Sequence, residues 1–454
     1  MSRALLLVPV LLAGCTVGPD YRPRTATELG VPDTYSVPAA ATREDLTRWW
    51  QRFDDPVLGQ LVEQAAGSNT DVAQAVARLR QARESLVQSR ASLLPNVGVS
   101  TGYNRFTNLV GGSRNVQLPD GSITTVSTGG GSSYSIGLDA QYQVGLFGEV
   151  RRTVEATRAQ EAAAAYDYAG VVLSVQSETA RNYVLARALQ AQLGNARASL
   201  ALQDDNLEIA GFRVQAGLVS SVDVEQARSQ RAQTAATIPQ LEQQYNAAVS
   251  RLGVLTAQAP GALKPLLAAP RPIPTGPAAI GVGIPADTLR QRPDILAAER
   301  ALASATAQIG VAKAALYPAL AIGGSIDTNA VSLGTIGDAI TGGLFAGLTQ
   351  AIFNGGRLRS QVRSAEAATD AALASYRGTV LLALEDVENA IVALDSARLR
   401  EAEFRIAFEA ATASAQLSRS QYRSGLTDFT TLQQQELSLL SAQNGLVQAR
   451  ADQA

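Results

Sequence analysis

The chain has 454 residues, a net charge of −2, one cysteine and no histidine. A charge near zero provides no excess of Lys and Arg to displace counterions from nucleic acid, and the lack of histidine excludes imidazole catalysis and the common zinc sites. One cysteine excludes a disulfide within the chain. We therefore expect no enzymatic activity, no metal, no cofactor and no nucleic-acid partner.

The N-terminus has the features of an export signal. A short basic start precedes the apolar run Ala4–Leu12, which is followed by Leu-Ala-Gly-Cys15. The run is too short to span a bilayer as a mature helix, but it fits the apolar region of a secretory signal. Leu-Ala-Gly-Cys resembles a bacterial lipobox, which implies removal of residues 1–14 and acylation of Cys15. Thr16 after the cysteine implies, by the same resemblance, sorting to the outer membrane. The alternative is an ordinary signal peptide followed by a free thiol.

Residues 16–56 are rich in proline and polar residues, which predicts an extended segment lying on other elements. Trp49 and Trp50 lie near its end, and we interpret them as packing anchors rather than ligand contacts. Apolar residues at helical spacing then predict a short helix from Pro56 to Gly67 and a longer one from Thr70 to Leu94.

After this helix, apolar and polar residues alternate, which indicates strands. The first strand runs from Asn96 to Asn104 and the second from Tyr134 to Val144. Residues 105–133 are crowded with glycine, serine, threonine and asparagine and are predicted to be a loop. The two strands therefore form a hairpin.

One very long helix is predicted from Glu149 to Val214, because apolar residues and alanine recur there at spacings of three and four without a proline. At 1.5 Å per residue, roughly 65 residues span about 100 Å, which is longer than a compact domain. A turn at 215–223 leads into a returning helix from Val222 to Leu252, with Ser221 as the expected N-cap. Pro239 is expected to kink or break this helix.

The stretch Pro260–Pro293 is so rich in proline that we expect neither a helix nor a central strand in it. Beyond it the second half repeats the first. The matching segments are Asp71–Pro95 with Asp294–Pro318, Tyr168–Leu173 with Tyr376–Leu381, and Gln215–Val219 with Arg423–Thr427. In each of the last two pairs, the second segment follows the first by the same number of residues. The chain is therefore a tandem duplication.

The second half also has two alternating strands, at Leu320–Asp327 and Ile340–Ile352. Each half thus supplies two strands with one apolar face and one polar or glycine-rich face. This pattern fits a water-soluble sandwich or an outer-membrane barrel, and the lipobox and long polar loops favour the barrel. Four strands cannot close such a barrel, because the smallest have about eight, so several chains must share one.

Short motifs spread over nearly the whole mature chain carry a family likeness. They are Leu12–Tyr21, Trp49–Pro56, Leu289–Asp294, Gln308–Lys313, Tyr317–Pro318 and Phe353–Arg357. In this order they resemble the TolC-like outer-membrane efflux proteins, and in particular the OprM/NodT lipoprotein branch.

The resemblance implies a mixed α and β membrane protein. It implies a homotrimer whose 12-stranded β-barrel, four strands per chain, continues into a long periplasmic α-helical coiled-coil barrel. The implied function is that of the outer-membrane exit duct of a tripartite RND-type efflux pump. Such a duct passively exports drugs or other small molecules that a periplasmic membrane-fusion adapter and an inner-membrane RND transporter deliver. The implied location is the outer membrane of a Gram-negative bacterium, with a lipid anchor and a periplasmic extension.

The chain divides accordingly into segments of separate roles. They are a lipoprotein signal peptide at 1–14, an N-terminal equatorial segment at 15–56, first-repeat helices at 57–94, strand pair 1 at 95–145, helical hairpin 1 at 146–252, a proline-rich equatorial connector at 253–293, the second-repeat helix at 294–317, strand pair 2 at 318–352, and helical hairpin 2 with the C-terminus at 353–454.

Two turns between helices, at 215–223 and 423–431, lie far from the strands and are predicted to form the periplasmic tip. Each glycine there is expected to be a helix C-cap with positive φ. The resemblance implies that these turns contact the adapter through Gly217, Leu218, Val219, Gly425, Leu426 and Thr427.

The resemblance also implies a gate of polar contacts at this tip. Asp223 and Tyr422 match family positions, and Asp428 is a further acidic candidate at the opening. Each acid is alternatively a solvated charge stabilised by a helix N-terminus. Thr427 stands where some members carry a basic residue, which puts the family ion pair in doubt. Arginines that could replace that residue are Arg213, Arg419 and Arg423.

Two other functions fit the same pattern. A type I protein-secretion duct uses the same kind of outer component. A periplasmic structural coiled-coil protein or adapter without a pore is the other alternative. An adapter normally carries a lipoyl-like or barrel domain and one helical hairpin, whereas this sequence predicts two hairpins interleaved with two strand pairs.

Overall fold

The computed structural model describes residues 16–38, 47–107, 109, 113–127, 130–277, 280–281, 283–286 and 291–454. The predicted signal peptide 1–14 and the predicted lipidation site Cys15 lie outside the described residues. The backbone forms two compact units. Where described, the first comprises Met1–Pro23, Arg80–Ala163 and Ala298–Ser375, and the second comprises Arg24–Leu79, Ala164–Ala297 and Tyr376–Ala454.

The helices include two that are unusually long. In chain order they are α1 Pro56–Ser68, α2 Thr70–Ala91, α3 Glu149–Gln215, α4 Ser221–Leu255, α5 Lys264–Leu267, α6 Pro293–Ala314, α7 Arg357–Arg423 and α8 Phe429–Gln453. Shorter 3-10 helices lie at Thr27–Leu29, Trp49–Phe53 and Leu333–Thr335. Helices α3 and α7 each contain 67 residues. In the described part of the chain, none of the helices combines the length and the apolar character needed to cross a bilayer.

The strands are shorter and lie between the helices. They are β1 Asn96–Phe106, β2 Ser113–Gln117, β3 Ile123–Ser127, β4 Gly131–Val144, β5 Ala319–Ala330 and β6 Thr341–Thr349. The order α2, β1, β4, α3, α4 recurs as α6, β5, β6, α7, α8, which confirms the predicted tandem duplication.

Strands β1, β4, β5 and β6 form one antiparallel sheet in that order. Within the described residues, β1 and β6 each have one edge without a partner strand. The register places Val99 opposite Leu138, and Leu138 opposite Ile326, on one face. The next residues along, Asp139 and Ser325, are paired on the other face. The sheet therefore has an apolar face and a polar face, as the alternation predicted.

The prediction that residues 105–133 are only a loop is wrong. The short strands β2 and β3 pair there as a second hairpin. The turn between them contains Gly121, with φ 81°, and Asp120, whose Oδ1 accepts the N–H of Ser122 at 3.0 Å. Each strand has only 5 residues, so its alternation is too brief to separate from the surrounding glycine- and serine-rich sequence.

The prediction that Pro260–Pro293 contains no helix is also wrong, because α5 lies within it. Pro265 stands in the first turn of α5, where a missing N–H costs no intrahelical hydrogen bond. Leu267, at its end, is fully buried in the core of the second unit. Burial of this leucine supplies the stabilisation that local sequence does not indicate.

The structure corrects the predicted N-cap of the returning helix and shows no break at Pro239. Helix α4 continues through Pro239 without a break. A proline removes one hydrogen bond from the ladder, and the rest of this 35-residue helix keeps its own. The N-cap is Ser220 rather than Ser221: its backbone is extended, and its Oγ accepts the N–H of Val222 at 3.2 Å.

Other elements differ from prediction only at their ends. Helix α2 ends at Ala91 rather than Leu94, and β6 ends at Thr349 rather than Ile352. Such differences of a few residues are usual, because terminal turns fray and often tighten.

The core of the second unit surrounds the tryptophan pair. Trp50 packs with Leu58 and Leu61 of α1, Tyr183 of α3 and Leu252 of α4. The rings of Trp49 and Trp50 meet edge to face, with centroids 6.0 Å apart. These contacts agree with the interpretation of both tryptophans as packing anchors.

Candidate functional site

The turn after α3 is a Schellman cap. The N–H of Leu218 donates to the carbonyl of Arg213 at 2.9 Å, and the N–H of Gly217 donates to that of Val214 at 2.9 Å. Gly217 has φ 72°, a left-handed conformation that favours glycine. The cap leaves the side chain of Leu218 69% exposed at the outside of the turn.

The turn after α7 is built in the same way. The N–H of Leu426 donates to the carbonyl of Gln421 at 2.8 Å, and the N–H of Gly425 donates to that of Tyr422 at 3.0 Å. Gly425 has φ 76°, and Leu426 is 78% exposed. The two turns thus present the same Gly-Leu pair, and the next residues, Val219 and Thr427, are half-buried in both.

The two acidic candidates lie at the starts of the outgoing helices. Asp428 is the N-cap of α8: its Oδ1 accepts the N–H of Thr431 at 2.7 Å, and this bond lowers the pKa of the Asp428 carboxyl. Asp223 lies in the first turn of α4 and is half-buried. Both positions are favourable for a negative charge, because helix N-termini carry partial positive charge.

Tyr422 lies in the protomer's own core rather than on its surface. Its side chain is 1% exposed and packs with Ala227 of α4 and with Phe429 and Leu432 of α8. Burial raises the pKa of the Tyr422 phenol; the charge of Arg213 opposes this shift, and the charge of Asp223 adds to it. The hydroxyl has no hydrogen-bond partner among the described residues.

Arg213 joins the two helical hairpins at this point. Its guanidinium lies over the Tyr422 ring, 4.6 Å from the centroid, and its Nη1 donates to the Tyr422 carbonyl at 3.0 Å. Side chains of α3, α4, α7 and α8 therefore meet around Tyr422. Arg213, one of the three arginines considered for the gate, is held inside the protomer by these contacts.

A buried polar cluster lies further along the same four helices. Glu436 of α8 accepts from Nδ2 of Asn206 at 2.9 Å and from Nε of Arg419 at 2.9 Å. Asn206 and Glu436 are both buried, so Arg419 is committed to a pair within the protomer. This cluster was not predicted from the sequence. The signal that could have revealed it is the presence of polar residues, Asn206 and Glu436, at helix positions of the kind that alanine and leucine otherwise occupy.

The acidic side chains of the tip do not form a metal-binding cluster with other described residues. In the chain as described, no group of three or more His, Cys, Asp or Glu side chains is arranged to hold a metal ion. What the site offers is two matched exposed turns above a helix junction, which is an arrangement suited to contacts with another protein.

The comparisons with known proteins then identify the family. The sequence profile described as "Outer membrane efflux protein" matches residues 61–258 and 284–454. The chain belongs to the outer membrane efflux protein family.

Relatives of this outer membrane efflux protein match over nearly their whole length. Nodulation protein T of Rhizobium leguminosarum bv. trifolii is 32% identical, over 97% of this chain and 92% of the relative. Pyoverdine export outer membrane protein OpmQ of Pseudomonas aeruginosa is 32% identical, over 93% of this chain and 88% of the relative.

Solved structures show the same fold. The structure of the outer-membrane channel OprN is similar with a TM-score of 0.84 and 34% identity, and the match covers 97% of this chain and 96% of that one. The Campylobacter jejuni CmeC channel has a TM-score of 0.83 at 22% identity, a likeness that concerns the fold alone. The predicted TolC-like fold, the outer-membrane location and the function as an efflux channel are confirmed.

Proposed function

We propose that three copies of this chain form one outer-membrane duct, the exit channel of a tripartite RND-type efflux pump. The observation that carries the proposal is the four-stranded sheet, in which β1 and β6 each have an edge without a partner strand in the part of the chain that the structure describes. Free edges in lipid leave backbone groups without hydrogen bonds, each at a cost of several kcal/mol. Three sheets joined edge to edge remove these edges and give the strand number that a barrel needs.

The two faces of the sheet support this arrangement. The apolar face carries side chains that are exposed in the single chain, including Leu344 at 94%. In a shared barrel these side chains contact lipid, whereas the polar face, with Asp139 and Asp327, lines the lumen. A lipid on Cys15 then anchors each copy a second time.

The tip turns are the proposed contact with the rest of the pump. Leu218 and Leu426 are the exposed apolar side chains through which a periplasmic adapter binds, and Asp223, Tyr422 and Asp428 are the gate candidates. The adapter connects the duct to an inner-membrane RND transporter, which supplies the energy. The substrates are small molecules, as the names of the related export proteins suggest for those proteins.

Substitution on opposite faces of one edge strand tests the barrel. Leu344→Lys introduces a charge on the lipid face, where it costs about 2–4 kcal/mol near the bilayer centre. Its neighbour Gly343 lies on the polar face, and a Cβ there has ordinary contacts only. We expect Leu344→Lys to abolish membrane-inserted trimer, and Gly343→Lys to insert and to alter the conductance.

Light scattering of the detergent-extracted protein and planar-bilayer recordings give these readouts. A monomer without conductance, or equal behaviour of the two lysine variants, contradicts the proposal. Restored efflux in a strain that lacks only its outer component, with pump and adapter present, distinguishes this function from protein secretion.

A further inference from the structure

The segment Val17–Asp20 crosses two helices of the first unit at very short range. Gly18 has φ 102°, and a Cβ built on it lies 2.4 Å from the Cα of Gly310 in α6. A Cβ built on Gly310 lies 2.8 Å from Cγ of Arg152 in α3. Only glycine at both positions lets the segment, α6 and the Arg152 side chain pack in successive layers.

Arg152 binds this segment with three of its N–H groups. Nε donates to the carbonyl of Val17 at 3.3 Å, and Nη2 donates to the carbonyl of Gly18 at 3.3 Å and to Oδ1 of Asp20 at 2.7 Å. Nη1 donates to Oε2 of Glu155 on the next turn of α3, at 2.8 Å. The arginine side chain is 5% exposed, whereas that of Asp20 is 83% exposed. Charge-assisted bonds from a buried guanidinium fix both position and direction of the segment.

The same segment is bound to the residues between β4 and α3. The N–H of Val17 donates to the carbonyl of Phe147 at 3.2 Å. Gly148 has φ 84°, and a Cβ built on it lies 2.8 Å from Cγ2 of Thr16. Phe147 and Gly148 lie between the end of β4 at Val144 and the start of α3 at Glu149, so Thr16 and Val17 are bound beside the end of this strand.

From these contacts we infer that Arg152 positions the lipid anchor of the chain. By binding Val17–Asp20 it holds the acylated N-terminus beside the periplasmic ends of the strands, where the acyl chains enter the adjoining lipid leaflet. The inference rests on the lipidation of Cys15 proposed above. Cys15 is joined to Thr16 by one peptide unit, with about 3.8 Å between their Cα atoms, so docking of Thr16 limits the reach of the anchor.

The partner of this N-terminal segment is therefore a lipid leaflet rather than another protein. A mobile linker would let the acyl chains insert at any distance that its length allows. A docked segment instead places them next to strands whose apolar faces meet lipid. The anchor and the barrel rim then enter the membrane at one depth.

The test measures the depth of residue 16 in the membrane without the native lipid. In a Cys15→Ser background, which has no cysteine, residues 1–14 are replaced by a signal peptide that is cleaved before residue 15 without lipidation. Exposed Thr16→Cys is labelled with a nitroxide, and the protein is placed in vesicles of phosphatidylethanolamine and phosphatidylglycerol. The mobility of the spin label reports how ordered residue 16 is. The collision rates of the label with oxygen and with a water-soluble nickel chelate report its depth in the membrane. We expect an immobilised label at one depth near the headgroups.

Arg152→Met is expected to abolish the immobilised component and the single depth, while trimer mass stays the same. Arg151→Met is the matched control, because Arg151 is the exposed neighbour on the same helix and should change neither readout. An equally immobilised label at the same depth in Arg152→Met overturns the inference, as does a label that is already mobile in the parent.

If the Arg152→Met protein does not assemble, the Asp20→Ala variant tests the inference instead. This substitution removes the exposed carboxylate that binds Arg152 and leaves the buried arginine in place. We expect it to reduce the immobilised component, and an unchanged spectrum overturns the inference. Mass spectrometry of the native N-terminus tests lipidation separately. If Cys15 is unmodified, the protein has no lipid anchor and that part of the proposed function is wrong. The spin-label result, which is obtained without the lipid, still shows whether Arg152 holds the N-terminal segment.

Discussion

Arg213 and Tyr422 connect the ends of the two long helices: the Arg213 guanidinium lies 4.6 Å from the Tyr422 ring centroid, and its Nη1 bonds the Tyr422 carbonyl at 3.0 Å. Because α3 and α7 belong to different repeats, this contact joins the two hairpins beside the turns that the adapter is proposed to bind.

Arg213→Met should destabilise the tip by about 1–2 kcal/mol, because it removes a cation–π contact and a hydrogen bond to a carbonyl. Thermal unfolding of the detergent-solubilised trimer measures this. Arg423→Met is the control, since Arg423 is an exposed arginine in the last turn of α7. Tyr422→Phe should be close to neutral because it removes a hydroxyl that bonds to none of the described residues. Equal melting temperatures of the two arginine variants would contradict the prediction.

Sequence periodicity predicts most of the fold, because helices, strands and the duplication are repeated local patterns. Both helix ends at the tip are also predictable, since Gly217 and Gly425 are the residues that a left-handed C-cap requires. The contacts around Tyr422 and Glu436 are not. They join helices that are far apart in the sequence, and spacing along one helix does not show which face meets which partner.

Neutralising the acidic gate candidates should raise single-channel conductance. If Asp223 or Asp428 narrows the opening in a ring of three carboxylates, removing its charge widens the path for ions. Asp428→Asn is the sharper variant, because asparagine also caps helices and the N-terminus of α8 is preserved. For Asp223 the variant is Asp223→Ala, with Glu225→Ala as control, an exposed acid of the same helix. An unchanged planar-bilayer conductance removes that residue from the gate.

Leu426→Asp and Leu218→Asp should weaken coupling to the adapter while the trimer survives. Both leucines are exposed in the chain, so a carboxylate there costs little folding energy but opposes burial in an interface. Ser424→Asp is the control, because it adds the same charge at an exposed position of the same turn without removing an apolar contact. Co-purification with the adapter and drug susceptibility are the measurements. Normal drug export in Leu426→Asp would count against the contact.

Tyr183 should make the protein lose stability at high pH. Its hydroxyl donates to Oδ2 of Asp55 at 2.6 Å, and burial together with this bond raises the pKa of Tyr183 from 10.0 to about 12. A raised pKa means that the neutral phenol is favoured in the folded state. This preference for the neutral phenol contributes about 3 kcal/mol to the free energy of unfolding. The contribution is complete below pH 10 and is lost as the pH rises from about 10 to about 12.

The free energy of unfolding, measured from pH 8 to pH 12, tests this. Tyr183→Phe has no proton to lose, so the difference between the two proteins should shrink over that range. A difference that is independent of pH would show that Tyr183 keeps its ordinary pKa in the folded protein.

The lumen of the barrel should prefer cations. Asp139 on β4 and Asp327 on β5 lie on the polar face of the sheet, and none of the described residues on that face of the four strands is a lysine or arginine. In the proposed trimer these residues place six carboxylates in the lumen without an opposing charge from the same face of these four strands, which raises the local concentration of cations. The double variant Asp139→Asn/Asp327→Asn should therefore lower the cation-to-anion permeability ratio, measured as the reversal potential in a salt gradient. Asp338→Asn, an exposed acid between β5 and β6, is the control. If the reversal potential of the double variant equals that of the parent, the selectivity is set elsewhere, and the tip carboxylates Asp223 and Asp428 become the remaining source of negative charge at a constriction.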